Sequence, residues 1–168
     1  MSERGLVKKI ETATPIERVC VARQGTVAVL MKEDDVSYVR LYDKKGQELA
    51  SGEFYQEKGS FPVDISLAPD AQKLAVDMLD VTKGKTCSTV TFYNFGSGGQ
   101  NEIDNNVGTY SYKNTMISEL VYTESGKLLA ISDAGLIWFD GAQKPAPKKQ
   151  IKFKREIQSV FYNNKYVG

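Results

Sequence analysis

Val63 to Phe95, VDISLAPDAQKLAVDMLDVTKGKTCSTVTFYNF, carries a strand–turn–strand–turn–strand pattern. Val63, Ile65 and Leu67 alternate with Asp64 and Ser66, the period-2 pattern of a strand with one buried face. Ala68-Pro69-Asp70-Ala71 then supplies turn chemistry, since proline fixes φ for the second turn position and aspartate hydrogen-bonds its own backbone. Leu74, Ala75 and Val76 form a short apolar run, Asp80-Val81-Thr82-Lys83-Gly84-Lys85 reads as a second turn, and Ser88 to Phe95 is β-branched and aromatic. The stretch predicts three antiparallel strands.

Working outward, the pattern repeats. An apolar or aromatic residue, an aromatic and then Asp or Asn recur at Leu41-Tyr42-Asp43, Phe92-Tyr93-Asn94 and Trp138-Phe139-Asp140, each followed by glycine at Gly46, Gly96 and Gly141. Asp43 to Asn94 is 51 residues and Asn94 to Asp140 is 46, the period of a four-stranded β-propeller blade with variable loops. First strands are expected at Ile16 to Val21, Val63 to Leu67 and Ile117 to Tyr122. Second strands follow at Thr26 to Met31, Lys73 to Met78 and Lys127 to Ser132, with Ala28, Ala75 and Ala130 at matching places. More polar fourth strands are expected over Gln47 to Tyr55, Asp104 to Tyr112 and Lys148 to Lys154. In the last of these, lysine alternates with apolar residues, as an exposed sheet edge requires to avoid pairing with another chain.

The predicted architecture is therefore all-β and propeller-like, a single domain over 1–168 with about three complete four-stranded blades, at 16–56, 62–113 and 116–155. Partial blades are expected at both ends: an orphan outer strand over 5–13 and the start of a further blade over 157–168. Ends of that kind leave unpaired backbone groups, so either more chain completes the ring or two copies close it as a homodimer.

Composition narrows the chemistry. The 168 residues carry 22 Lys and Arg against 21 Asp and Glu, so no net field points to nucleic acid. Histidine is absent, which removes the commonest general base and metal ligand. Cys20 and Cys87 show no CxxC spacing and read as buried free thiols. No run approaches the ~18 apolar residues of a membrane span.

Candidate motifs fail one by one. Lys83-Gly84-Lys85-Thr86 ends like a phosphate-binding loop, but position 79 is Leu79 where glycine is needed, and a strand follows where a helix should. Gly96-Ser97-Gly98-Gly99 is not a nucleophile elbow, and no histidine exists to activate Ser97. Asp133-Ala134-Gly135 reads as a turn between two strands. The carboxylate pairs Asp34/Asp35 and Asp77/Asp80 are placed in the loop between second and third strands of successive blades; without a spaced ligand set they read as solvated turn charges. No catalytic residue, metal or cofactor is assigned. Because propeller loops cluster on one face, the candidate recognition surface is Asp34, Asp35, Lys58, Asp80, Lys83, Lys113, Asn114, Asp133 and Arg155.

Leu67-Ala-Pro-Asp-Ala-Gln-Lys-Leu-Ala-Val76 and Val121-Tyr-Thr-Glu-Ser-Gly-Lys-Leu-Leu-Ala130 resemble the SPDG-K-LA repeats of WD40-like and TolB-like propellers. Asp77 to Lys85, continuing through Ser88 to Gly96 and Ile103 to Gly108, is similar to an uncharacterised family of Gram-positive bacteria whose members resemble a membrane helix followed by a propeller-like extracytoplasmic domain. The resemblance covers residues 16–168 and implies no catalytic residues. It implies a non-enzymatic binding or scaffolding module for a protein, peptide or glycan, anchored outside the cytoplasm in the parent protein. The alternative expectation is the propeller portion of a larger enzyme or membrane sensor.

Overall fold

A computed structural model describes residues 9–55, 59–94 and 106–154. It is all-β and propeller-like, with three four-stranded antiparallel sheets, each taking its strands in chain order. Blade 1 comprises β1 (Ile16–Val21), β2 (Val27–Glu33), β3 (Val36–Tyr42) and β4 (Glu48–Tyr55). Blade 2 comprises β5 (Ser60–Leu67), β6 (Lys73–Thr82), β7 (Lys85–Asn94) and β8 (Asn106–Lys113), and blade 3 β9 (Ile117–Tyr122), β10 (Leu128–Ser132), β11 (Gly135–Phe139) and β12 (Pro147–Lys152).

The landmarks have physical roles. Asp43 Oδ1 accepts the amides of Lys45 and Gln47 at 2.8 Å, and Asp140 Oδ1 those of Ala142 at 3.4 Å and Ala146 at 3.0 Å. The recurring aspartate therefore closes the turn into the fourth strand. Asp70 does the same in the first hairpin of blade 2, accepting the Gln72 amide at 3.0 Å. The lysine-bearing β12 is exposed along most of its length and forms the outer edge of its sheet.

Two apolar layers hold the blades face to face. Between blades 1 and 2 lie Ala28, Leu30, Val39, Leu41, Ile65, Leu67, Leu74 and Val76; between blades 2 and 3 lie Ala75, Val90, Phe92, Ile117, Leu120, Ile137 and Phe139. Successive residues of a strand point to opposite faces, so β6 sends Leu74 and Val76 one way and Ala75 the other. The second seam is aromatic: the Phe92 ring packs edge-on against Phe139 at 5.1 Å and Tyr110 at 6.4 Å. The Tyr110 hydroxyl ties the same seam by donating to Pro145 O at 2.8 Å.

Several expectations are corrected. The supposed turn Asp80 to Lys85 is mostly strand: β6 runs to Thr82 and β7 starts at Lys85, leaving only Lys83-Gly84, with φ of 53° and 74°. Two positive-φ residues form a tight turn whose twist matches the flanking strands. Asp77 is not a loop charge but a fully buried β6 residue. Asp64 and Ser66 are not on a solvent face, because the inner strand β5 is covered on both sides by neighbouring blades. That strand begins at Ser60 and passes through Pro62, tolerated on a strand at a sheet edge.

Ala130 does not match Ala28 and Ala75. The pairs closing the three hairpins are Val21 with Val27, Leu67 with Leu74 and Tyr122 with Leu128, so Leu129 takes the matching place and Ala130 faces the preceding blade. Both cysteines are free but only half-buried. Of the outer strand expected over 5–13, residues 9–13 form no strand. Residues 5–8 and the blade start expected over 157–168 lie outside the described residues.

Candidate functional site

The inner strands β1, β5 and β9 line a cavity of about 530 Å³. Counting back from the hairpin ends, Arg18, Asp64 and Glu119 occupy one register position in the three blades, and Cys20, Ser66 and Val121 the next position on the same face. The fold thus gathers one cation, two carboxyls, a thiol and a hydroxyl around the wall, joined by Ser118 and by the apolar flanks Val19, Val21 and Leu120. Val19 and Val21 are 53% and 63% exposed.

Polar side chains of blade 2 satisfy the inner edge of blade 3. Asp64 Oδ2 accepts the Leu120 amide at 2.7 Å and Ser66 Oγ the Tyr122 amide at 3.3 Å. An innermost strand has one backbone edge without a strand partner, and buried amides require acceptors. Arg18 Nε stands 3.6 Å from Asp64 Oδ1. Burial nonetheless raises the Asp64 pKa, outweighing the Leu120 and Ile65 amides and the Arg18 charge that lower it. Burial, reinforced by the Asp64 charge, pushes the Cys20 thiol up to about 12. At neutral pH Cys20 is a thiol and a poor nucleophile.

Behind this wall lies a further carboxyl. Asp77 stands directly opposite Asp64 in the β5–β6 ladder. Its Oδ2 is 3.5 Å from Ser88 Oγ, which accepts the Ile117 amide at 2.9 Å, while its Oδ1 has no partner among the described residues. Burial pushes Asp77 up to about 7; Ser88 opposes the shift and Asp64 adds to it.

The residues expected to form a recognition surface lie on loops and strand ends. Asp34 and Asp35 form the exposed two-residue tip between β2 and β3, Asp34 with φ 52°. Asp80 sits within β6 and accepts the Thr82 hydroxyl at 2.7 Å, and Lys83 occupies the following turn. Lys113 ends β8, and Asn114, with φ 53°, donates its amide to Thr86 O at 2.8 Å. Asp133 exchanges two bonds with Met116, donating its amide at 3.0 Å and accepting on Oδ1 at 3.1 Å. Lys113, Asn114 and Asp133 are therefore drawn together around the β8–β9 connection, whereas Asp34 and Asp35 tip blade 1. Lys58 and Arg155 lie outside the described residues. Among the described residues no three His, Cys, Asp or Glu side chains are placed to hold a metal ion together, and no helix is long and apolar enough to cross a membrane.

Sequence reading passed over Arg18, Ser66, Ser88 and the pairing of Asp64 with Asp77. For Ser66, Ser88 and the two aspartates the signal is a polar residue at a core register. Asp77 holds the place of Leu30 in blade 1 and Ile131 in blade 3, and Ser88 that of the equally buried Ser37.

Solved structures share this fold. An uncharacterised Listeria monocytogenes protein, lmo1340, superposes with a TM-score of 0.57 at 11% identity, over 93% of this chain and 45% of its own. A Lactobacillus plantarum protein superposes with a TM-score of 0.50 at 13% identity, over 83% of this chain and 42% of its own. The chain spans less than half the length of either, and at these identities the likeness is one of fold. No curated protein matches the chain. A family of unknown function, DUF5711, matches across residues 1–168.

Proposed function

The chain belongs to the family of unknown function DUF5711, and on that premise we propose that it is a non-enzymatic binding module whose ligand enters the inner-strand cavity. The observation carrying this reading is the cavity of about 530 Å³, within the 300–1,000 Å³ typical of ligand sites. Its wall combines apolar flanks with a few convergent polar groups, Arg18, Glu119 and Ser118 among them. That mixture suits a peptide segment or short glycan, which offers both apolar surface and hydrogen-bonding groups. Asp64 and Ser66 are engaged by backbone amides and serve as framework. Absence of histidine and a Cys20 thiol held at about 12 argue against an activated nucleophile in the wall.

The exposed loop residues Asp34, Asp35, Lys83, Lys113 and Asn114 form the second surface in this proposal, suited to a protein partner. Resemblance to membrane-anchored propellers supports an extracytoplasmic setting in the parent protein. Closure of the ring by a second copy, giving a homodimer, completes the proposal; a folded species that stays monomeric in light scattering at all concentrations would remove that part.

The test is a ligand-observed magnetic-resonance screen of peptides and oligosaccharides, repeated on Arg18→Ala and Glu119→Ala. Hits for the native protein should weaken at least tenfold in one or both variants. Hits unaffected by either substitution would contradict the cavity assignment, and turnover of any hit would contradict a non-enzymatic role.

A further inference from the structure

We infer that the opposed carboxyls of Asp64 and Asp77 form a one-proton latch that holds the inner strand of blade 3 against blade 2 and loosens as that proton is lost. The cluster lies at a seam whose polar ties to β9 all pass through it or its neighbour. Asp64 takes the Leu120 amide, Ser88 takes the Ile117 amide, and Ser66 takes the Tyr122 amide. With its acceptor site occupied by Ile117, the Ser88 hydroxyl has its proton free for Asp77 Oδ2. Asp77 Oδ1, fully buried and without a partner among the described residues, is then the place for the proton.

The surrounding charge compensates Asp64 in part and Asp77 not at all. From β1, Arg18 reaches Asp64 at 3.6 Å and is itself half-exposed. From β9, Glu119 adds negative charge to Asp64, and from β1, Cys20 is an uncharged thiol. Tyr112 of β8, opposite Ser88, is also uncharged, held up at about 12 by burial. Among the described residues no cation pairs with Asp77. Like charges directly opposed in a ladder repel, and interacting buried carboxyls ionise in succession rather than together. The fold does not require an acid here, since Leu30 and Ile131 hold the same register position in the other blades.

The sign follows from linkage. When the seam is closed Asp77 keeps its proton up to about pH 7, whereas when the seam is open it ionises at an ordinary value of ~4. The closed state is therefore fully favoured in acid. Its advantage falls about tenfold per pH unit between those values and then levels off. Because Glu119 and Leu120 of β9 also line the cavity, the same proton sets how firmly one wall of that cavity is held.

Amide exchange of Ile117, Leu120 and Tyr122, corrected for intrinsic rates, should be followed from pH 5 to 8 in the native chain, Asp77→Asn and Asp77→Leu. Protection in the native chain should fall about tenfold per unit between pH 5 and 7 and then flatten, with no such slope in either variant. The native Asp77 carboxyl carbon should titrate near pH 7, an observation that stands even if both variants fail to fold. Flat protection in the native chain, an equal slope in the variants, or titration of Asp77 below pH 5 would each overturn the latch.

Discussion

Replacing Phe92 by alanine measures how strongly blade 2 depends on blade 3. The ring is fully buried, centred between Phe139 at 5.1 Å and Tyr110 at 6.4 Å. Its β-strand neighbours are Ala75 and Gly108, which are too small to swell into the space left behind. Truncating a buried phenylalanine costs about 3–5 kcal/mol, and loss of the two edge-on ring contacts, each worth about 0.5–1.5 kcal/mol, places the site towards the upper part of that range. For a chain of this size each kcal/mol moves Tm by about 2–4 °C, so a fall of about 10–20 °C is expected. Urea unfolding should be followed by circular dichroism for all three sheets and by fluorescence of Trp138 in β11 of blade 3, the chain's single tryptophan. Both midpoints should fall together. A loss below about 1 kcal/mol, or a Trp138 transition that stays put while the dichroism shifts, would refute the seam described here. Val81→Ala, at a 42% exposed position, is the control and should stay within about 0.5 kcal/mol.

Two further outcomes follow from local geometry. Gly135 opens β11 at φ 151°, where an added Cβ would lie 1.9 Å from Ile151 O; Gly135→Ala should cost several kcal/mol, about 3 or more, and release β12 amides to exchange, whereas Gly126→Ala, with open space around its φ of 76°, should cost only about 1–2 kcal/mol. Cys20, with its thiol at about 12, should react with a neutral-pH thiol reagent at least a hundredfold more slowly in the folded protein than in urea, and equal rates would show that the fold does not suppress its thiolate.

Much of the fold was legible because repetition amplifies a weak strand signal. Asp43, Asn94 and Asp140 mark strand ends at regular spacing, and two of them cap turns through their side chains. Errors arose where a polar residue was read from its own chemistry rather than its register. Asp77 looked like part of a solvated loop because Asp80 and Lys83 follow it, yet the β-branched Val81 and Thr82 carry the strand on to a two-residue turn. Asp64 and Ser66 gave the alternation of a one-sided sheet, while blades stacked on both sides bury both faces of the inner strand. The cavity itself was invisible, since it belongs to three segments about 50 residues apart that only the stacking of blades brings together. The loop residues, by contrast, could be placed from turn chemistry alone, although nothing in sequence foretold that the Asp133 carboxylate would be spent on the Met116 amide.

The proposed uptake of ligand by the inner strands can be read from a chemical-shift map of the native chain with the strongest peptide or glycan hit. Perturbations should concentrate at 18–21, 64–67 and 118–122, the three segments lining the cavity. Perturbations confined to Asp34, Asp35, Lys83, Lys113 and Asn114, with the inner strands unmoved, would contradict it.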